Sequence, residues 1–337
     1  MSVVALSRTV EPLLSVQHLT IGIPSSGGGH ATLVRDVSFE VGPGVRYGLV
    51  GESGSGKSMT LKAIAGLLPR GVEVLEGEIH FDGDDVLTMS PHERRRIMGP
   101  RMAMIFQEPM TALNPTTRVG KQIAEGPRRH LGLSKADAQE LAVDMIRRTG
   151  IPDPARRARA YPHELSGGLR QRIMIAMALS CKPALVLCDE PTTALDVTVQ
   201  DQVLRLLAQL CDDMGSALTF VTHDLAVVSQ TCSRLSVMYA GRIMEEGNVR
   251  EVYEAPQHPY TEALFQSAPD FDDPGRRLAP IPGLPPSLTD PPPGCPFAPR
   301  CQYAIESCST GSKPLVEVRH RHLSACDLAD QIFGGTR

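Results

Sequence analysis

The sequence predicts an α/β protein whose core is a mostly parallel sheet covered by helices on both faces. Three observations predict it. Apolar strand-like runs alternate with helical patterns: Ala184 to Cys188, a helix from about Val197 to Asp212, Ala217 to Thr222, a short helix from Leu225, then Arg234 to Tyr239. A glycine-rich turn, Gly51 to Ser58, follows the apolar run Arg46 to Val50 and opens a helical pattern from Met59 to Leu68. Gly51, Asp189 and His223 then all fall at carboxyl ends of strands, where open α/β sheets bind their ligands.

The remaining elements follow from the same patterns. Leu13 to Leu19 and Val34 to Val41 read as strands separated by the turn Pro24 to Gly29, and predict an antiparallel edge ahead of the glycine-rich turn. Glu78 to Phe81, the charged helix His92 to Met98 and the strand Met102 to Phe106 come next. From Thr116 to Tyr161 the pattern is helical, broken at Gly132, Gly150 and Pro152, which predicts an inserted helical subdomain over about 108–165. Beyond Glu254, the prolines from Pro256 to the run Pro291 to Pro293 rule out long regular elements. The chain therefore divides into a core over 1–255 and a Pro- and Cys-rich C-terminal appendage over 256–337.

Composition narrows the function. The 337 residues carry a net charge of −4, 42% hydrophobic residues, 4% aromatics and no Trp. No long-range basic field recruits nucleic acid. Met1 to Ser15 lacks a signal-peptide layout, and no run approaches the ~18 apolar residues of a membrane span. The expectation is a cytoplasmic protein; if it works at a membrane, other chains supply the spans.

Gly51-Glu52-Ser53-Gly54-Ser55-Gly56-Lys57-Ser58 reads G-x-x-x-x-G-K-S between a strand and a helix. That context aims backbone N–H groups and a helix dipole at one spot, which is a phosphate-binding loop. Lys57 can reach β- and γ-phosphates, and the Ser58 hydroxyl can ligate Mg²⁺. Leu185-Val186-Leu187-Cys188 delivers Asp189 and Glu190 to the same edge: Asp189 would serve Mg²⁺ through water, and Glu190, facing the other way, would polarise an attacking water. Leu165-Ser166-Gly167-Gly168-Leu169-Arg170-Gln171-Arg172 opens a further helix, where a Ser166 cap and paired glycines form a second anion site. One chain cannot use both sites on one nucleotide.

Here the sequence resembles a family. L-S-G-G-x-x-Q-R just upstream of an acidic strand end resembles the signature of ATP-binding-cassette (ABC) proteins, which implies the P-loop NTPase ABC cassette fold and a head-to-tail partner cassette. The resemblance makes Gln107 the Q-loop glutamine, touching Mg²⁺ and attacking water; Ala194-Leu195-Asp196 the D-loop; and His223 the switch histidine. A lone Gln or His is more often structural, but six motifs in family order over residues 45 to 225 reverse that balance. On these terms Glu190, His223 and Gln107 are catalytic. Gly51, Ser53 to Met59, Gln107 and Asp189 hold ATP; Ser58, Gln107 and Asp189 serve Mg²⁺; and Ser166, Gly167 and Gly168 act in trans on the partner's ATP.

Phe106-Gln107-Glu108-Pro109-Met110-Thr111-Ala112-Leu113-Asn114-Pro115, His258-Pro259-Tyr260-Thr261-Glu262-Ala263-Leu264 and the stretch Gly51 to Ser58 itself narrow the resemblance to ATPase subunits of oligopeptide/dipeptide and nickel importers. That implies two transmembrane permease subunits, an extracytoplasmic substrate-binding protein, a second ATPase subunit and a peripheral place on the cytoplasmic face of the inner membrane. Nickel or another small solute is the alternative cargo; a soluble nucleic-acid ABC protein and a metal-sensing regulator are rivals from other classes. Two departures stand out: Leu169 replaces the commoner Gln, and Leu13 to Ser38 holds no Phe, Tyr or Trp to stack on adenine upstream of the phosphate loop, with Ile23 the nearest candidate.

The cysteines divide into two groups. Cys181, Cys188, Cys211 and Cys232 fall in apolar stretches and read as small core hydrophobes. Cys295, Cys301, Cys308 and Cys326 are separated by five, six and seventeen residues, unlike the C-x₂-C of ordinary zinc modules or common ferredoxin patterns. Four thiolates suit zinc or an iron–sulfur cluster, and unligated thiols remain a third reading. C-P-F-x-P-R-C resembles a segment that carries a [4Fe-4S] cluster in some peptide-importer ATPases.

Overall fold

A computed structural model of the chain describes residues 11–25, 29–107, 112–191, 197–223, 225–267 and 279–334. In chain order the strands are β1 (Leu14–Pro24), β2 (His30–Val41), β3 (Arg46–Val50), β4 (Glu73–Phe81), β5 (Asp84–Asp85), β6 (Met102–Ile105), β7 (Leu185–Asp189), β8 (Ala217–Thr222), β9 (Arg234–Tyr239), β10 (Arg242–Asn248), β11 (Val316–Arg319) and β12 (His322–Ser324). The α-helices are α1 (Lys57–Ile64), α2 (Pro91–Ile97), α3 (Val119–His130), α4 (Lys135–Arg148), α5 (Pro154–Arg157), α6 (Gly167–Leu179), α7 (Val197–Met214), α8 (Leu225–Thr231), α9 (Val249–Glu254), α10 (Pro259–Ser267) and α11 (Ala329–Phe333).

The main sheet runs β11-β12-β10-β9-β3-β8-β7-β6. Its centre, from β9 to β6, is parallel. Leu185, Val186, Leu187 and Cys188 are each 0% exposed, as a strand covered on both faces requires. The antiparallel strands expected ahead of the glycine-rich turn stand as a second sheet of order β2-β1-β4-β5. Residues of that sheet, α1 and one face of the parallel sheet share a single apolar cluster that includes Leu14, Ile21, Leu61, Ile64 and Leu187.

The helical stretch expected between 116 and 161 resolves into α3, α4 and α5; α4 packs on both α3 and α5, and α3 and α4 pack on α6. Side chains set several helix starts in the chain. Ser134 caps α4 by accepting the Asp137 N–H at 3.2 Å, and Ser90 and Glu93 form a reciprocal capping box on α2.

Beyond Glu254 the regular elements are short, as the prolines require, yet β12 joins the main sheet by pairing with β10. A buried clamp fixes that join. Glu245 Oε1 lies 2.7 Å from His322 Nε2 and accepts the Gln257 N–H at 2.7 Å, with both side chains of the pair at most 1% exposed. Ser324 Oγ also donates to the Gln257 carbonyl at 2.8 Å. Among the described residues no helix is long and apolar enough to cross a membrane.

Candidate active site

β3 ends at Val50 and hands the chain to the glycine-rich loop. Gly51 sits at φ +150°, and a Cβ there would lie 2.0 Å from the Met238 carbonyl oxygen on β9, so no side chain fits. The Ser55 carbonyl accepts the Gly241 N–H at 3.0 Å, which pins the loop to the β9–β10 turn. Ser53 and Gly54 are left exposed at its tip. Met59, the third residue of α1, is partly buried against the apolar cluster beneath.

Lys57 opens α1 and folds back into the loop. Its Nζ donates to the Gly51 and Glu52 carbonyls at 2.8 Å each and to Ser55 Oγ at 3.2 Å. Burial lowers its pKa to about 8, against the pull of Glu190, Asp189 and Glu52. An entering polyphosphate offers this ammonium charged acceptors stronger than those neutral ones.

Asp189 and Glu190 take different partners. Asp189, 4% exposed, accepts from Ser58 Oγ at 2.6 Å. Those two oxygens are a hard donor set that suits Mg²⁺. Glu190 has φ +42°, a left-handed conformation rare outside glycine, and its N–H bonds the Val221 carbonyl of β8 at 3.0 Å. Its carboxylate gathers the two residues singled out from sequence: Gln107 Nε2 donates to Oε2 at 3.1 Å, and His223 Nδ1 lies 3.3 Å from Oε1. The Glu190 side chain is 15% exposed and His223 59%, so the group faces open space from a fixed base.

The second anion site stands apart. Ser166 caps α6 by accepting the Leu169 N–H at 3.4 Å, and Ser166 and Gly167 are exposed. Gly168 abuts Val199 of α7, where a Cβ would meet Cγ1 at 3.1 Å. Among the described residues no hydrogen bond joins this helix start to the glycine-rich loop. Ala194 to Asp196, Glu108 to Thr111 and Asp224 lie outside the described residues. Ile23 is half-buried on β1, paired with Ala31 of β2.

Cys181, Cys188, Cys211 and Cys232 are buried, as read. Burial pushes the Cys211 thiol up to about 12 and Cys232 to about 11. Cys295, Cys301, Cys308 and Cys326 line one small cavity, together with His258 and Phe297. Gly294 makes this possible: at φ +77°, a Cβ there would lie 2.4 Å from the Cys308 carbonyl, whose oxygen accepts the Cys295 N–H at 2.8 Å. Burial raises the thiols of Cys295 to about 11 and Cys326 to about 12, and raises Cys301 as well. Among the described residues no three His, Cys, Asp or Glu side chains form a ready single-ion site.

One set of contacts escaped the sequence. Arg300 and Tyr260, both of the C-terminal segment, bond Glu52 inside the glycine-rich loop. Their strings, H-P-Y-T and C-P-F-x-P-R-C, carried a resemblance but no hint of this contact.

A strand-loop-helix phosphate site, a carboxylate at the adjoining strand end held by Gln and His, and a separate helix start bearing S-G-G define an ABC ATPase cassette. The family profile described as "ABC transporter" matches residues 34–193, and that described as "Oligopeptide/dipeptide transporter, C-terminal region" matches 244–308. The chain is 50% identical over 299 residues to the probable peptide ABC transporter ATP-binding protein y4tR of Sinorhizobium fredii, covering 88% of this chain and 89% of that one. It is 45% identical over 323 residues to the dipeptide transport ATP-binding protein DppD of Bacillus subtilis, covering 96% of each. Among solved structures, the ATP-binding cassette MJ0796 in a dimeric post-hydrolysis state bound to ADP and Pi aligns with TM-score 0.63 and 25% identity, over 70% of this chain and 99% of that one. The chain belongs to the ATP-binding subunits of ABC transporters of the oligopeptide/dipeptide type. It is an ATPase of that class, with ATP as its nucleotide and Mg²⁺ as its metal.

Proposed function

We propose that this chain hydrolyses ATP to drive import of di- and oligopeptides through two separate permease subunits, on the cytoplasmic face of the inner membrane. A second cassette, identical or different, closes over its nucleotide, and an extracytoplasmic binding protein delivers the peptide. The match of residues 244–308 to the oligopeptide/dipeptide C-terminal profile carries the choice of cargo. The exposed Ser166 start of α6, unbonded to the glycine-rich loop among the described residues, supports action in trans. The cassette proper is taken as 1–255, with its helical subdomain at about 108–165 and the extension from 256.

In this reading the amides of Gly51 and Ser53 to Met59 and the Lys57 ammonium bind the phosphates. Ser58, Asp189 and Gln107 serve Mg²⁺, Glu190 is the base for the attacking water, and His223 holds Glu190 and the γ-phosphate. Ser166, Gly167 and Gly168 meet the partner's ATP. The test is uptake: the chain, co-expressed with the permease subunits it purifies with and reconstituted in vesicles with their binding protein, accumulates labelled peptide in an ATP-dependent way. Accumulation of nickel instead, with no peptide uptake, overturns the cargo.

Cys295, Cys301, Cys308 and Cys326 are proposed to hold a [4Fe-4S] cluster. The four cysteines line one cavity, and four thiolates suit such a cluster. Such a cluster would supply a rigid, redox-sensitive cross-link of the segment and no step of hydrolysis. Protein purified anaerobically should be brown, absorb near 400 nm and lose that band in Cys301→Ser. Colourless protein with one zinc per chain overturns it.

A further inference from the structure

Glu52 puts a negative charge inside the phosphate loop. A loop whose amides and Lys57 gather to hold a polyphosphate carries a carboxylate as its second residue, and that charge opposes the ligand. A counter-charge comes from far along the chain. Arg300 Nη1 donates to Glu52 Oε2 at 2.7 Å and Nη2 to Oε1 at 3.1 Å, a two-point fork. The guanidinium is itself held by Tyr239 Oη at 3.1 Å, the Pro282 carbonyl at 2.8 Å and the Ile281 carbonyl at 3.3 Å. Its side chain is 5% exposed, against 25% for Glu52. The Glu52 main chain is fixed too: its N–H donates to Tyr260 Oη at 2.9 Å. Tyr260 in turn packs on Tyr239 and Phe297, with ring centroids 4.4 and 5.3 Å away.

We infer that Arg300 is a positioning residue of the nucleotide site, cancelling the Glu52 charge while Tyr260 holds the loop, so that the C-terminal extension completes the phosphate site of its own chain. The inference rests on the reading that Gly51 to Ser58 bind ATP. A charge effect has a signature that a mere prop lacks: it grows with the number of phosphates on the ligand. Arg300 also closes the single turn Ala298–Arg300 that leads into Cys301, whose N–H bonds the Ala298 carbonyl at 3.2 Å. A change at the cysteines that moves this turn therefore reaches the phosphate loop through Arg300.

The test is equilibrium binding of ATP, ADP and adenosine to the full chain and to Arg300→Ala, Glu52→Gln and the double variant. Arg300→Ala should weaken ATP about tenfold, ADP less and adenosine not at all, the order that one uncompensated charge gives at a partly solvated site. Glu52→Gln should tighten ATP, and the double variant should return towards wild type. Equal weakening of all three ligands, or no recovery in the double variant, would show that Arg300 only supports the fold and overturns the inference. If Arg300→Ala does not fold by circular dichroism, Glu52→Gln decides: tighter ATP binding supports the charge role and weaker binding overturns it. A wild-type chain that binds no ATP removes the phosphate-loop reading itself, and this inference with it.

Discussion

At the nucleotide edge, Lys57, Ser58, Asp189 and Glu190 are held where strands β3 and β7 end, by backbone geometry that a short stretch of chain specifies. At the cysteine segment the same chain has no long element, and a few buried polar contacts tie it down: Arg300 to Glu52, and His322 to Glu245. The first region is set mostly by local sequence, Glu52 with its ties to Tyr260 and Arg300 being the exception, so its catalytic residues can be exchanged one function at a time. The second depends on partners more than 70 residues away, so losing one contact should loosen the whole segment. Three measurements test this difference.

Glu190→Gln has the largest expected effect. The amide keeps the shape and the Gln107 neighbour but accepts no proton, so ATP binding should persist while turnover in the assembled transporter falls at least about 100-fold. ATPase assay beside nucleotide binding checks it. Near-normal turnover would mean that the carboxylate gathered by Gln107 and His223 is not the base.

His322→Ala probes the second region. It strips one of two partners from a carboxylate that is 0% exposed, and breaking a buried pair in this way costs about 3–5 kcal/mol. A denaturant titration should show that loss. A change under about 1 kcal/mol would mean that the segment is docked by its apolar contacts, Phe297 and Tyr260 among them.

The same contrast explains what could be read from sequence. The loop, Asp189 and Glu190 were legible because each sits at a strand end that its own apolar run announces; Gln107 and His223 sit at such ends too, but only the resemblance to ABC cassettes singled them out. Strand β10 was not. Arg242-Ile243-Met244-Glu245-Glu246-Gly247-Asn248 breaks the apolar pattern with two successive carboxylates, and both are buried with partners that lie outside the strand. Glu246 is met by Arg234 Nη2 at 2.8 Å and Ser236 Oγ at 3.2 Å, and burial still raises its pKa. Strands β11 and β12 are short and follow β10, so they were hidden with it. The Arg300–Glu52 fork spans 248 residues, and nothing local announces it.

Lys57 gives the smallest effect and the sharpest sign. Its ammonium titrates at about 8 in the free protein because burial outweighs three nearby carboxylates. A bound polyphosphate adds negative charge and lifts that pKa, so above about pH 8 binding must take up a proton and affinity must fall as pH rises, by at most about tenfold per pH unit. Stability moves the other way. The unfolded lysine keeps its proton to about 10.4. Between those two pKa values the unfolded state therefore binds more protons, and folding becomes more favourable as pH rises and the buried charge is relieved. Calorimetry at pH 7 and 9, in buffers of different ionisation enthalpy, reads affinity and proton uptake together. Lys57→Arg, which stays charged over this range, should flatten the slope if it binds. Affinity that stays level from pH 7 to 9 in the wild-type chain would place the phosphates away from Lys57 and leave the loop amides to hold them alone.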